Sequence, residues 1–285
     1  MKKYIKRILF SVKSQRNIFW DNTEIDIGCE VTIPNKFVGN TPLCVISHGS
    51  GGLGSDTELF VDSLTDAGIA CLCVDSFTGR NISSLSWDSQ SSYISPKVRA
   101  HETMEALAYI KRNADSLFQM VNTDRISFVG FSWGADTLAQ ILGHHTQSLP
   151  DDSFFALCYG NLWPFESAFY NAKKYNVKLY HGADDNWTSS ERSKIFANET
   201  NSKFVEFYSV THGFCKQGYE NDMAKDVIIN HHADFPIPTE MTEVYNWVQQ
   251  GKVWKDTDWK KVDAVMTFDP MATQQVLADI IKATK

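Results

Sequence analysis

Several features that would place a chain in a class at once are missing from this sequence. No apolar stretch among the 285 residues approaches the ~20 residues that a membrane-spanning helix needs. Positive charge is not in excess, since 27 Lys and Arg against 34 Asp and Glu give a net charge of −7. That balance argues against nucleic acid or an anionic membrane as a main partner. Neither an internal repeat nor a low-complexity tract is present, so repeat architectures and disorder are excluded.

Cysteine and histidine do not fall in patterns that bind metal. The six cysteines are scattered and form no C-x-x-C pair, which excludes zinc ribbons and thioredoxin-like motifs. Four of them lie within apolar runs, where cysteine packs as a small hydrophobe. The neighbours His144-His145 and His231-His232 would point about 100° apart on a helix and rarely hold one ion. We therefore expect no metal and no cofactor.

The start of the chain lacks the pattern of a secretory signal. Its basic residues are followed by only a short apolar run, over 8–12, and by no small-residue cleavage site, whereas a signal has an apolar region of ~7–15 residues. We expect residues 1–24 to form an N-terminal extension. A reducing, cytoplasmic location fits the cysteines, while a periplasmic or secreted location stays open.

What the sequence does contain is an alternation of short apolar runs with segments of helical spacing. The runs are nearly continuous, as in a parallel sheet buried on both faces. The alternation predicts an α/β fold with a mostly parallel, doubly wound sheet, in which function gathers at the carboxyl ends of the strands. We predict strands over 43–47, 70–74, 126–130, 155–159, 177–181 and 204–208, and helices over 57–67, 96–113, 133–142, 190–198 and 271–283.

Two glycine-rich turns follow predicted strands, and the first is ambiguous. It reads His48-Gly-Ser-Gly-Gly-Leu-Gly54, in which Gly49, Gly51 and Gly54 match G-x-G-x-x-G, with Asp75 at a later strand end. Such a turn followed by an acid is typical of dinucleotide binding. A nicotinamide-dependent oxidoreductase is therefore one hypothesis. Against it, a long stretch of chain precedes the turn, whereas a Rossmann domain usually opens with it.

The second turn carries a candidate nucleophile. The chain runs from the predicted strand 126–130 through Gly130-Phe-Ser132-Trp-Gly134 into a predicted helix. G-x-S-x-G between a strand and a helix forms a sharp turn that exposes the serine hydroxyl over the edge of the sheet. The N-terminus of the helix offers amide donors and positive potential to a developing oxyanion. Ser132 is the candidate nucleophile.

A serine hydroxyl needs a base and an orienting acid, and both residue types follow in the chain. Asp184 and Asp185 come after the predicted strand 177–181, and His212 comes after the predicted strand 204–208. Serine, then acid, then histidine is the chain order of α/β-hydrolases. Either carboxylate could orient the imidazole, and Asp184 could equally cap the next helix, so the pattern leaves this choice open.

Taken together, these motifs resemble those of the dienelactone hydrolase family of the α/β-hydrolase superfamily. The resemblance covers roughly residues 25–215, and the final helix resumes it. The segments that carry it are His48–Gly54, Asp75–Arg80, the Arg99 helix, Gly130–Gly134, Gly182–Thr188 and Thr211–Phe214. It implies a single α/β-hydrolase domain over 1–285 that needs no cofactor. The match fades over residues 216–267, where the sequence leaves open a partial lid or insertion before the C-terminal helix or an oligomer contact.

The resemblance also implies roles for individual residues. The family's G-x-x-D spacing indicates Asp185 as the acid. The family places oxyanion-hole amides at Trp133 and at Ser50 or Gly51, and His48 would organise that loop. Arg80 stands where the family can place an arginine that faces a substrate carboxylate, and a surface or structural arginine is the alternative. Dienelactone hydrolases proper use a cysteine nucleophile, however, so Ser132 favours a related carboxylic ester as the substrate.

The sequence thus predicts a serine hydrolase with the triad Ser132, His212 and Asp185, acting on a small ester or lactone through an acyl-enzyme. A thioester or a small peptide stays open as the substrate. Three aromatic residues near predicted strand ends are candidates to line the substrate pocket, namely Tyr159, Trp163 and Phe214. The non-enzymatic alternative is a binding module that keeps this fold without turnover.

Overall fold

An eight-stranded sheet forms the centre of the fold. The computed structural model describes residues 6–17, 21–34, 40–83, 94–162, 167–220, 222–229 and 260–285. The strand order is β1-β2-β4-β3-β5-β6-β7-β8, and all neighbours from β4 to β8 pair in parallel. The strands are β1 (Lys6–Asn17), β2 (Asp21–Ile33), β3 (Thr41–Ser47), β4 (Ala70–Asp75), β5 (Val121–Phe131), β6 (Phe154–Cys158), β7 (Asn176–Gly182) and β8 (Lys203–Phe207).

Helices cover both faces of this sheet. They are α1 (Ser55–Asp66), α2 (Pro96–Arg112), α3 (Trp133–His144), α4 (Ser190–Thr200) and α5 (Pro270–Thr284). In β3, Leu43 and Val45 pack in the core with α2 and α3, while Cys44 and Ile46 pack with α1 and α5. Because both faces are buried, the strand is apolar at every one of these positions. The predicted parallel strands and the helices are confirmed within a few residues.

The six cysteines are buried, and none forms a disulfide. Among the residues described, no helix has both the length and the apolar character to cross a membrane.

The N-terminal segment differs from the expectation of an extension. Residues 6–17 form β1, an edge strand of the main sheet, and β1 and β2 pair antiparallel to each other before β2 pairs with β4. From Ile25 to Ile33 in β2 every second residue is apolar and buried, and Thr32 near the end of the strand is buried as well. The alternating buried residues are Ile25, Ile27, Cys29, Val31 and Ile33. Alternation is the pattern of a half-buried antiparallel strand, and a search for continuous apolar runs passes over it.

The segment 216–267, expected as a lid or insertion, is only partly described. It contributes β9 (Asp222–Ile229) and β10 (Lys260–Met266), which pair antiparallel as a separate two-stranded sheet. The stretch between them lies outside the described residues, and the lid prediction falls there. Met266 forms an isolated bridge with His212, so the end of β10 lies beside the loop that follows β8.

Candidate active site

Ser132 lies in a strained turn between β5 and α3. Its backbone has φ 51° and ψ −117°, in the left-handed half of the map, which costs of order 1–3 kcal/mol and is held by the surrounding structure. The two flanking glycines make the turn possible. A Cβ on Gly130 would lie 2.4 Å from the Gly134 carbonyl oxygen, and one on Gly134 would lie 2.0 Å from the Ser47 carbonyl oxygen. The G-x-S-x-G spacing is therefore a steric requirement of this site.

The structure brings His212 and Asp185 to Ser132. His212, on the loop after β8, has Nε2 at 3.1 Å from Ser132 Oγ, and its Nδ1 lies 2.8 Å from Asp185 Oδ2. All three follow the carboxyl ends of parallel strands, which is why residues remote in sequence meet here. Asp184, the alternative acid, is exposed and has no part in this arrangement.

The carboxylate of Asp185 is held by a dense set of donors. Its Oδ1 accepts from the backbone N–H groups of Trp187 and Thr188, both at 2.9 Å, and its Oδ2 also accepts from Thr188 Oγ1 at 2.9 Å. Burial on its own would raise the pKa of this carboxyl. The adjoining imidazoles of His212 and His181 outweigh burial and lower that pKa. Asp185 is therefore an anion at neutral pH, fixed in orientation.

A pocket of about 200 Å³ opens beside Ser132 and His212. The loop after β3 forms one wall, and neither the Ser50 nor the Gly51 backbone N–H donates to another described residue. Trp133 is the first residue of α3, at the positive end of that helix. The amides named from the sequence thus lie around the nucleophile. The remaining lining residues include Asp56, Phe131, Tyr159, Trp187, Lys216, Tyr219 and Met266.

A buried pair of side chains supports the loop after β3 from within the protein. His48 is fully buried, and its Nδ1–H donates to the Gly49 carbonyl oxygen over 2.7 Å. Burial, reinforced by the charge of Arg99, lowers the pKa of His48 to about 3, so this imidazole is neutral at physiological pH. Arg99 Nη2 donates to the His48 carbonyl oxygen. His48 therefore shapes the loop, and the hydrogen bonds found among the described residues do not join its ring to Ser132.

Of the aromatic candidates for the pocket wall, the structure places one at the pocket and another in the core. Tyr159 lines the pocket, with its ring centroid 5.0 Å from that of His212. Phe214 does not line it. Its ring is fully buried between Tyr159 and Phe207, at 4.8 and 5.4 Å, so its predicted role in the pocket is corrected to core packing. Trp163 lies outside the described residues.

Arg80 also requires correction, because its guanidinium is fully engaged elsewhere. Nη2 pairs with Glu102 Oε1 at 2.6 Å, and both side chains are almost completely buried. Nη2 also lies 3.1 Å from Ser14 Oγ. The same guanidinium donates to three backbone carbonyl oxygens, those of Gln15, Arg16 and Ser76. Arg80 therefore joins β1 to α2 and does not face the pocket.

Asp75, the acid at the end of β4, does not support the dinucleotide-binding hypothesis. The Oδ1 of Asp75 accepts from the backbone N–H groups of Phe77 and Thr78, each at 3.0 Å, so this carboxylate closes a local turn. Gly49, Gly51 and Gly52 of the first turn line the pocket, and a Cβ on Gly49 would lie 3.6 Å from Ser132 Cβ. Within the described ranges, no group of three or more His, Cys, Asp or Glu side chains could hold a metal ion.

Sequence reasoning missed four residues close to the site. Thr188 and His181 contact Asp185, Lys216 lines the pocket, and Asp136 lies in the first turn of α3. Asp136 Oδ1 accepts from the Leu162 N–H and so anchors the loop after β6. Burial raises the pKa of Asp136 to about 7. The only available signal was proximity in sequence to the motifs, which does not say where a side chain points.

Comparisons with known proteins define the fold. No family model matches the chain, and no curated protein matches its sequence. A dienelactone hydrolase-like promiscuous phosphotriesterase from metagenomic libraries has a TM-score of 0.58 at 15% identity, over 97% of this chain and 96% of that one. Carboxyl esterase 2 from Tuber melanosporum has a TM-score of 0.54 at 12% identity, over 74% and 78%.

A third solved structure, brefeldin A esterase, a bacterial homologue of human hormone-sensitive lipase, has a TM-score of 0.52 at 12% identity, over 74% of this chain and 70% of its own. These likenesses show that the chain has the α/β-hydrolase fold. The resemblance drawn from the motifs is thereby confirmed at the level of the fold.

Proposed function

We propose that this protein is a serine hydrolase that cleaves small carboxylic esters through an acyl-enzyme. One observation carries the proposal: Ser132 Oγ, His212 and Asp185 form a continuous hydrogen-bonded line, with contacts of 3.1 and 2.8 Å, at the edge of a pocket. Nucleophile, base and orienting acid within hydrogen-bond reach are what serine-dependent acyl transfer requires. The fold shared with esterases agrees with this chemistry.

The proposed reaction has two halves. Ser132 Oγ attacks the ester carbonyl carbon while His212 Nε2 takes the hydroxyl proton, and the same proton then goes to the leaving alcohol. Water next attacks the acyl-enzyme, gives a proton to His212 and releases the acid as the serine regains its hydrogen. Asp185 keeps the proton of the neutral imidazole on Nδ1 and stabilises the imidazolium.

The amide groups near Ser132 are the proposed oxyanion donors. Those of Trp133 and of Ser50 or Gly51 would donate hydrogen bonds to the carbonyl oxygen as negative charge develops on it. Removal of one such donor typically costs about 2.7–4 kcal/mol of transition-state stabilisation. No step of this scheme draws on a cofactor.

The pocket supports a small substrate. Its volume of about 200 Å³ lies below the ~300–1,000 Å³ that is common for drug-sized ligands. Aromatic and thioether side chains from Tyr159, Trp187 and Met266 form an apolar part of the wall. A short acyl chain or a lactone ring matches these dimensions. We therefore place short-chain esters and lactones ahead of long-chain lipids, and thioesters belong in the same assay panel.

Covalent labelling tests the proposal. A fluorophosphonate probe should add one mass increment to the protein, located by peptide mapping at Ser132, and a short-chain p-nitrophenyl ester should be hydrolysed. Ser132→Ala should lose the label and at least about 10⁴-fold of kcat/KM, because the remaining groups provide no nucleophile. Its melting temperature should stay close to that of the wild type.

Ser63→Ala is the matched control, since Ser63 lies on α1, outside the pocket lining. It should label and turn over like the wild type. Labelling at a different serine, or unchanged turnover in Ser132→Ala, would contradict the proposal. A wild-type protein that neither labels nor hydrolyses any ester, thioester or lactone in the panel would favour the binding-module alternative.

A further inference from the structure

A second imidazole contacts the carboxylate that orients His212. His181, at the end of β7, is fully buried, and its Nε2 lies 3.2 Å from Asp185 Oδ2. The same nitrogen lies 2.9 Å from the Thr188 carbonyl oxygen. Its Nδ1 lies 2.8 Å from Ser193 Oγ on α4. Asp185 Oδ2 is thus shared between His212 on one loop and His181 on the adjacent strand.

The partners of His181 fix where its hydrogen lies. Nε2 faces a carbonyl oxygen and a carboxylate oxygen, which are both acceptors, so Nε2 carries the hydrogen. Nδ1 can then stay unprotonated and accept from the Ser193 hydroxyl. The neutral ring satisfies every contact, and no buried positive charge is required. His181 therefore acts as a neutral N–H donor, and the Thr188 carbonyl oxygen and Asp185 Oδ2 together set the direction of its Nε2–H.

Thr188 joins both imidazoles to the same carboxylate. Its Oγ1 lies 2.9 Å from Asp185 Oδ2, 3.2 Å from His212 Nδ1 and 3.3 Å from His181 Nε2. A carboxylate with this many close partners has little freedom to rotate. The hydrogen-bonded line from Ser132 to Asp185 consequently extends through His181 to α4.

We propose that His181 is a positioning residue for the active site: its Nε2–H holds Asp185 Oδ2 toward His212 and takes a share of the carboxylate's negative charge. The inference rests on the proposed function and adds a fourth member to its hydrogen-bonded line. His181 does not touch the reacting atoms, and it acts through Asp185 alone.

The shared charge has a consequence with a definite sign. Each donor that draws charge from Asp185 leaves less of it to stabilise a protonated His212. Loss of the His181 donor should concentrate charge toward His212 and keep the imidazolium to higher pH. The acidic limb of the profile of kcat/KM against pH reports the base in the free enzyme. That limb should therefore move to higher pH when the donor is lost.

Charged groups on neighbouring elements do not compete for this role. On α4, Arg192 donates to Asn161, and Lys194 pairs with Glu206 of β8 at 3.0 Å and with Glu191 at 3.8 Å. Asp184 is exposed. The titratable groups that share the pocket with His212 are Asp56, Tyr159, Lys216 and Tyr219. All of them are unchanged in the variants below, so they cancel in the comparison.

Two amide variants that differ by one methylene test the proposal. The Gln amide in His181→Gln reaches the place of the imidazole Nε2 and can donate to Asp185. The shorter amide in His181→Asn reaches only the place of Nδ1, near Ser193. His181→Asn should lose about tenfold in plateau kcat/KM and shift its acidic limb upward by about half a pH unit. His181→Gln should keep the wild-type limb and most of the rate.

Ser193→Ala is the structural control, because it removes the partner of Nδ1 and leaves the Nε2–H facing Asp185. Its limb should coincide with that of the wild type, whatever its melting temperature. All rates should be normalised to active sites counted with the fluorophosphonate probe, so that partly unfolded protein does not enter.

The possible outcomes distinguish a failure of this proposal from a failure of the proposed ester hydrolysis on which it rests. An unmoved limb in His181→Asn, or an equal shift in both amide variants, overturns the positioning role while ester hydrolysis stands. If His181→Asn does not fold, His181→Gln still decides, because a tenfold loss or a shifted limb in that variant contradicts the proposal. If the probe does not label the wild-type protein, the proposed function itself is contradicted.

Discussion

Two polar networks in this protein each centre on a buried carboxylate, yet they differ in what surrounds them. Asp185, His212 and Ser132 form the first, and Arg80, Glu102 and Ser14 form the second. Each joins residues that are far apart in sequence through contacts between 2.6 and 3.1 Å. The first ends at a pocket, on a hydroxyl in a strained turn. The second ends on backbone carbonyl oxygens, and each nitrogen of the Arg80 guanidinium has an acceptor there or on Glu102.

The comparison teaches that burial and charge do not identify a functional site. A salt bridge that satisfies all of its donors internally has nothing left with which to bind a substrate. A network that ends at a cavity presents a side chain that a substrate can still contact. In a doubly wound sheet, that position lies at the carboxyl ends of the strands, where β5, β7 and β8 deliver Ser132, Asp185 and His212.

The largest effect should come from the acid of the first network. Asp185→Asn should lower kcat/KM by about 10⁴-fold, because an amide in its place favours the wrong imidazole tautomer. Asp184→Asn is the matched control one residue away, and it should change kcat/KM by less than about twofold, since exposed substitutions far from such features have small effects. Steady-state ester hydrolysis measures both, and equal losses would erase the distinction between the two carboxylates.

The second network should affect stability and leave the chemistry alone. Arg80→Met leaves the buried Glu102 carboxylate without its partner, and the free energy of unfolding should fall by about 3–5 kcal/mol. The double variant Arg80→Met with Glu102→Leu should recover much of that loss, because neither charge is then buried. Urea unfolding gives the free energies. A large fall in kcat/KM per labelled active site would instead return Arg80 to the substrate pocket.

A third buried carboxylate gives the smallest effect and a pH signature. The pKa of Asp136 is raised to about 7, above its ordinary value of 3.8, so its protonated form favours the fold. Its contribution to stability is present below about pH 4 and is lost as pH rises toward 7. Asp136→Asn stays neutral throughout, so its melting temperature should exceed that of the wild type by several degrees at pH 8 and match it at pH 4.

Asp151→Asn, on an exposed turn, serves as the reference for this pH series. Its melting temperature should stay close to that of the wild type at both pH values, because exposed substitutions have small effects on stability. A flat difference for Asp136→Asn as well would show that Asp136 is ionised in the folded protein across this range.

The first network could be predicted from sequence because its constraints are local. Gly130 and Gly134 are required by contacts within one turn, and the chain order of acid and histidine follows from the strands that precede them. The choice between Asp184 and Asp185 needed more than spacing, since the backbone of the turn decides which carboxylate faces inward. The family resemblance indicated Asp185, and the geometry places that carboxylate against His212.

The second network could not be predicted, because it depends on a strand that was not recognised. Arg80 is buried only since β1 brings Ser14 and the Gln15 and Arg16 carbonyl oxygens over it. The alternation of β1 and β2 was present in the sequence but differs from the continuous pattern of the parallel strands. His181 could not be predicted for a related reason, because no sequence pattern indicates that a histidine at the end of a strand faces a neighbouring loop.

The six buried free cysteines can be used to measure local opening of this fold. An alkylating reagent reaches a buried cysteine only when the structure around it separates, so the rate at which each sulfur is capped reflects the local free energy of that separation. Cys29 lies in β2, at the N-terminal side of the sheet, and Cys215 follows His212 by three residues. The native chain can therefore report, without any introduced label, whether the loop that carries His212 and the β1–β2 pair come apart together or independently.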